Sequence, residues 1–84
     1  MLEDTHFFNS KEIEKAVISE VLNEVYHALK EKGYNPINQL VGYLVTNDPS
    51  YISSYKNSRN KMLGLEKSEI IALLLEGYLE SWDV

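Results

Sequence analysis

Residues 33–44 read Gly33-Tyr34-Asn35-Pro36-Ile37-Asn38-Gln39-Leu40-Val41-Gly42-Tyr43-Leu44, and within this stretch one helix ends, the chain turns and another begins. Gly33 closes a long helical pattern, because glycine takes the left-handed conformation that follows a helix C-cap without steric penalty, and Tyr34 is placed to pack back onto Leu29. Asn35 then supplies a side-chain oxygen for the free amides of the next helix. Pro36 stands at its first position, where a fixed φ fits and a missing N–H costs nothing. The stretch reads as a tight joint between two amphipathic helices.

Upstream, residues 10–32 place Ile13, Val17, Val21, Leu22, Val25, Ala28 and Leu29 on a helical stripe, with Glu12, Glu14, Glu20, Glu24 and Glu31 mostly off it. Asn9 is the expected N-cap, with Glu12 completing a capping box and Phe8 set to staple against Ile13. Residues 1–8 show no period and are expected to form a flexible tail, leaving residues 9–84 as a single helical domain. Downstream, residues 36–46 are apolar on nearly every side, which predicts the central and most buried helix. Gly42 within that helix costs roughly 1 kcal/mol relative to Ala, so a neighbour is expected to approach closely there. Asp48 and Pro49 repeat the cap-and-proline pattern and open a short turn with Tyr51, Ile52 and Tyr55. Residues 56–63 predict a further short helix bounded by Gly64. Ser68 predicts the cap of a last helix over residues 69–81, with a broad face of Ile70, Ile71, Leu74, Leu75, Tyr78, Leu79 and Trp82. No strand pattern is present, so the expected fold is all-α, a compact bundle of four to five short helices.

With 84 residues and no cysteine, the chain makes one small core without a disulfide framework or thiolate metal site. Six tyrosines and a last helix with more apolar surface than one core needs predict a second buried surface, that of a homodimer. Its candidates, as core or interface, are Tyr34, Ile37, Leu40, Val41, Leu44, Leu74, Tyr78 and Trp82. The absence of a secretory or membrane-spanning pattern gives a cytoplasmic expectation. The net charge is −5. Residues 35–68 are its only basic part, with four Lys or Arg against two acids, and they include Lys56, Arg59, Lys61 and Lys67. An acidic chain repels a phosphate backbone, which disfavours nucleic acid as a partner, and residues 36–46 lack the Lys or Arg of a DNA-reading helix.

Chemistry is sparse. His6 and His27 have no spaced ligand partners, the four glycines form no phosphate loop, and the serines from Ser50 to Ser58 have no base in sequence reach. Neither a catalytic residue nor a cofactor is expected, and a non-enzymatic protein is the reading.

The joint, continued by Asn47-Asp48-Pro49, Tyr51-Ile52, Ser58-Arg59-Asn60 and Glu66-x-x-Glu69-Ile70, resembles the IreB family of small regulatory phosphoproteins of Gram-positive bacteria over about residues 21–79. The resemblance implies an all-helical homodimer without enzymatic activity. It implies as partners a membrane-bound serine/threonine kinase that senses the cell wall, the phosphatase opposing it, and an unidentified downstream protein, in the control of envelope stress and tolerance of wall-active antibiotics. The family's acceptor lies in a Thr-x-x-Phe context before the first helix, which Thr5-His6-Phe7-Phe8 matches, so Thr5 is the expected phosphorylation site. A phosphate there adds about −1.5 to −2 charges beside Glu3 and Asp4. The tail would then be pushed off the acidic helices or captured by Lys56, Arg59 and Lys61. The alternative reading is a nucleic-acid-binding protein or a generic helical adaptor acting through dimerisation alone.

Overall fold

The computed structural model describes residues 10–81. Its longest element is α1 (Ser10–Glu31), followed by α2 (Pro36–Thr46), a 3-10 turn (Pro49–Tyr51), a second 3-10 turn (Tyr55–Asn57), α3 (Ser58–Leu63) and α4 (Lys67–Glu80). No strand occurs among the described residues, as the sequence pattern predicts. Asn9, Phe8, Thr5 and Trp82 lie outside them.

The core is built on α1. Ile18, Val25 and Leu29 of α1 form one buried cluster with Tyr43, Ile52, Met62 and Ile70 from the other elements, and Ala28 of α1 is buried as well. Ile18, Val25 and Leu29 stand at i, i+7 and i+11, and α1 packs against α2, α3, α4 and the second 3-10 turn. Two expectations are corrected here. The most buried helix is α1 and not α2: within α2 only Tyr43 is buried, while Ile37, Val41 and Val45 are exposed. An apolar circumference does not bury a helix unless neighbours cover it, and the short α2, which packs against α1 and the Pro49–Tyr51 turn, leaves Ile37, Val41 and Val45 uncovered. The stripe expected on α1 holds at Val21, Leu22, Val25, Ala28 and Leu29 and departs at its start, where Ile13 and Val17 are exposed and Ile18 is inside.

The joint follows its local chemistry. Gly33 adopts φ 96°, and the amides of Gly33 and Tyr34 donate to the carbonyls of Lys30 and Leu29 at 3.0 Å each, which satisfies carbonyls that the end of α1 would leave orphaned. The Tyr34 side chain itself remains exposed. Asn35 Oδ1 accepts from the Asn38 amide at 3.1 Å, with Pro36 opening α2. Asn47, left-handed at φ 63°, closes α2 by donating its amide to the Tyr43 carbonyl at 2.8 Å. Asp48 Oδ1 then accepts from the Ser50 amide at 3.0 Å. Those hydrogen bonds, with Arg59 nearby, hold the Asp48 carboxyl below its ordinary range.

The neighbour required by Gly42 is Tyr51. A Cβ on Gly42 would sit 2.9 Å from Tyr51 Cγ and closer still to its ring edge. Gln39 Nε2 donates to the Tyr51 carbonyl at 2.8 Å and fixes the same turn from below. The motif residues Gln39 and Gly42 therefore serve one contact, the seating of Tyr51 on α2.

The remaining boundaries differ from the sequence pattern. The helix expected over residues 56–63 begins only at Ser58, because Lys56 and Asn57 are both left-handed, at φ 54° and φ 63°. For a residue with a Cβ this costs about 1–2 kcal/mol, less for Asn. The last helix starts at Lys67 instead of being capped by Ser68. Glu66 occupies its N-cap position without a side-chain cap. Lys67 Nζ donates to Asn47 Oδ1 and lies 5.1 Å from the centre of the Tyr43 ring. This contact with the end of α2 anchors the first turn of α4 in place of a cap.

Candidate functional site

Three helices leave an open, mostly apolar groove of about 680 Å³ between them. α1 contributes Leu22 and Tyr26, α2 contributes Ile37, Leu40, Val41 and Leu44, and α4 contributes Leu73, Leu74, Gly77 and Tyr78. Among the sequence candidates, Ile37, Leu40, Val41, Leu44, Leu74 and Tyr78 all line it. Tyr34 does not, and Trp82 falls outside the described residues. Ser19, Leu22, Asn23, Tyr26, Leu73 and Gly77 complete the walls, and of these the sequence pattern named only Leu22, as part of the stripe on α1.

The groove exists because α4 is held at one end. Ile70 is fully buried and Leu73 packs against the core. Further along, Leu74, Leu75, Tyr78 and Leu79 are 49–63% exposed. The exposed face extends past the groove to Ile71. Contiguous apolar surface of this kind marks an interaction site in a folded domain.

The basic residues are distributed differently from a free phosphate clamp. Lys56 Nζ donates to Glu31 Oε1 at 2.9 Å, and Lys61 Nζ meets Glu24 Oε1 at 3.1 Å. Arg59 Nε donates to the Ile52 carbonyl at 2.9 Å. Each residue thus ties the second half of the chain to α1 or to the turn before α3. The hydrogen bond from Lys56 and its charge hold the Glu31 carboxyl below its ordinary value, and Glu31 reciprocally raises the Lys56 ammonium. Both groups are exposed, so the pair stabilises little and guides register more than it contributes energy. Tyr55 lies between Lys32 and Lys56, with ring-centre distances of 5.1 and 5.5 Å.

A second, smaller cleft of about 100 Å³ lies between the first turns of α1 and α4. Lys11, Glu14, Lys15 and Ile18 face Glu69, Ala72, Leu73 and Glu76 across it. Lys15 Nζ meets Glu76 Oε1 at 3.1 Å, with both side chains about half exposed.

No group of three or more potential metal ligands occurs among the described residues, and none of their helices is long and apolar enough to cross a membrane. The arrangement offers an open, mostly apolar surface among the described residues. The family model IreB regulatory phosphoprotein matches residues 3–80 of the chain.

Proposed function

The chain belongs to the family of IreB regulatory phosphoproteins, and from that premise we propose that it is a non-enzymatic cytoplasmic regulator that dimerises and is switched by phosphorylation of Thr5. The kinase in this reading is a membrane-bound serine/threonine kinase responding to envelope stress and wall-active antibiotics, opposed by a phosphatase. The observation that carries the docking half of the reading is the apolar groove, whose walls present Ile37, Val41, Leu74 and Tyr78 to solvent. A second copy of the chain is its occupant. Self-complementary apolar surface suits an isologous interface, in which the same patch serves both partners. The pairing of Lys56 and Lys61 with acids of α1 counts against nucleic acid, since both cations already have carboxylate partners.

Two measurements test the reading. Tandem mass spectrometry of the protein purified from its own cells under wall stress is expected to place a phosphate on Thr5. An unmodified tail under those conditions would remove the switch. Sedimentation equilibrium of the full chain is expected to show a dimer that Leu74→Lys dissociates. A monomer at all concentrations would leave the groove to a different protein.

A further inference from the structure

The exposed face of α4 is wider than the groove it helps to line. Leu74 and Tyr78 belong to the groove, while Leu75 stands about 100° further round the helix from Leu74. Ile71, Leu75 and Leu79, at i, i+4 and i+8, form a second aliphatic ridge there; all three are exposed and none lines the groove. Continuing in the same sense, exposed Ala72 comes next. Glu69, Glu76 and Glu80, at i, i+7 and i+11, then make an acidic edge about 120° from the ridge. The one cation of α4, Lys67, is already engaged by Asn47 and the Tyr43 ring. Where the edge borders α1, Lys11, Glu14 and Lys15 stand beside it. Lys15 pairs with Glu76 at 3.1 Å, whereas Glu69 and Glu80 have no ion pair among the described residues. Glu14, Glu69, Glu76 and Glu80 against Lys11 and Lys15 leave the edge net acidic.

A ridge of side chains four residues apart fits the groove between the side-chain rows of another helix. We propose that the outer face of α4 docks a basic amphipathic helix of another protein, whose aliphatic stripe packs on Ile71, Leu75 and Leu79 and whose lysines or arginines face Glu69 and Glu80. Charge complementarity selects this occupant. A second copy of the chain supplies no cation from α4 in either orientation. Laid antiparallel about a two-fold axis, ridge on ridge, the two acidic edges fall on the same side and repel each other. Laid parallel, each acidic edge meets the apolar Leu74 and Tyr78 side of the other copy, where a carboxylate loses water and gains no partner. An anionic membrane surface is repelled by the same edge. With α4 about 21 Å long, the contact engages about four turns of a partner helix. That is a small interface, of the size found in weak, reversible regulatory contacts. The groove and the ridge are thus two surfaces with different chemistry, one apolar throughout and the other apolar with a charged border.

The probe is a synthetic helical peptide of about three heptads with leucine at a and d and lysine at e and g, compared with one carrying glutamate at e and g. Each is titrated into the full chain at low salt and followed by amide chemical shifts and fluorescence anisotropy. The lysine peptide is expected to shift resonances of residues 69–80 and to bind at least about tenfold tighter than the glutamate peptide. Leu75→Lys is expected to weaken it about tenfold, whereas Leu74→Lys, in the groove, changes it less than about twofold. Glu69→Lys combined with Glu80→Lys is expected to reverse the preference between the two peptides, which a merely structural role for these acids would not do. No binding of the lysine peptide, equal binding of both peptides, an unreversed preference in the double variant, or loss through Leu74→Lys with Leu75→Lys unaffected would each overturn the proposal. So would a dimer that Leu75→Lys dissociates, since the ridge would then belong to a second copy. A chain that sediments as a monomer, or that carries no phosphate in cells, would overturn the functional reading alone and leave this result standing.

Discussion

The tripeptide Gly-Tyr-Leu occurs twice, at residues 42–44 in α2 and at residues 77–79 in α4, and the two copies have opposite surroundings. In the first, Tyr43 is 3% exposed and the Tyr51 ring occupies the space above Gly42. In the second, Tyr78 is 63% exposed and nothing lies within 4 Å of where a Cβ on Gly77 would be. The same local sequence is a finished contact in one helix and an open surface in the other. What separates them lies outside the tripeptide. α2 is fixed at both ends by Asn35, Asn47 and Gln39, whereas α4 is anchored by Lys67 and Ile70 near its start and by the Lys15–Glu76 pair beyond.

The largest test of this contrast removes the two aromatic rings. Tyr43→Ala should cost about 3–5 kcal/mol of folding stability in urea titration, as other buried aromatic truncations do, while Tyr78→Ala, measured at concentrations where the chain is monomeric, should stay within about 0.5 kcal/mol. Equal losses would show that the second copy is also covered in the free chain. Next in size is association. Leu74→Lys should raise the dimer dissociation constant about tenfold, equivalent to about 1.4 kcal/mol, with the helical circular dichroism spectrum retained. An unchanged constant would place the interface elsewhere. The glycines give a smaller difference of opposite sign. At position 42 overpacking costs about 1–3 kcal/mol and helix propensity returns about 1, so Gly42→Ala should be destabilising on balance. Gly77→Ala meets no neighbour and should raise the melting temperature of the free chain, through a propensity gain of up to about 1 kcal/mol.

The smallest effect concerns pH. The Glu31 carboxyl is held below its ordinary value of 4.5 by Lys56. A depressed carboxylate contributes stability above its unfolded value and loses it as pH falls through the folded one. Melting temperature should therefore drop slightly below pH 4.5, and Lys56→Gln should flatten that part of the curve. An identical slope in the variant would assign the acid sensitivity to another carboxylate, with Asp48, held low by the Ser50 amide, as the next candidate.

The parts of this fold that were legible in the sequence are those decided by neighbouring residues. Gly33, Asn35-Pro36 and Asp48-Pro49 announce turns and caps because the groups they satisfy lie within a few positions. Gly42 announces a close approach but not the residue making it, since Tyr51 reaches it through the fold. The start of α4 was misplaced for the same reason, because Lys67 is anchored on Asn47 and Tyr43 and no local cap marks the boundary. Ion pairs between residues as distant as Glu24 and Lys61 leave no local trace, so the basic segment looked like a cluster and is spread along α1. Six groove residues were named from apolarity alone, yet apolarity could not say which helix faces would be covered. The distinction between Ile18 inside and Val17 outside depends on where α4 lands, and the stripe by itself fits both.

The seating of Tyr51 on Gly42 also constrains how the chain diverges. A methyl at position 42 is tolerable only if the ring at 51 is smaller or swung away, and Gln39 holds the carbonyl of that same residue. Positions 39, 42 and 51 should therefore change together among related chains. A lineage that loses the ring at 51 is released to enlarge residue 42, whereas one that keeps the ring passes through a less stable intermediate to do so.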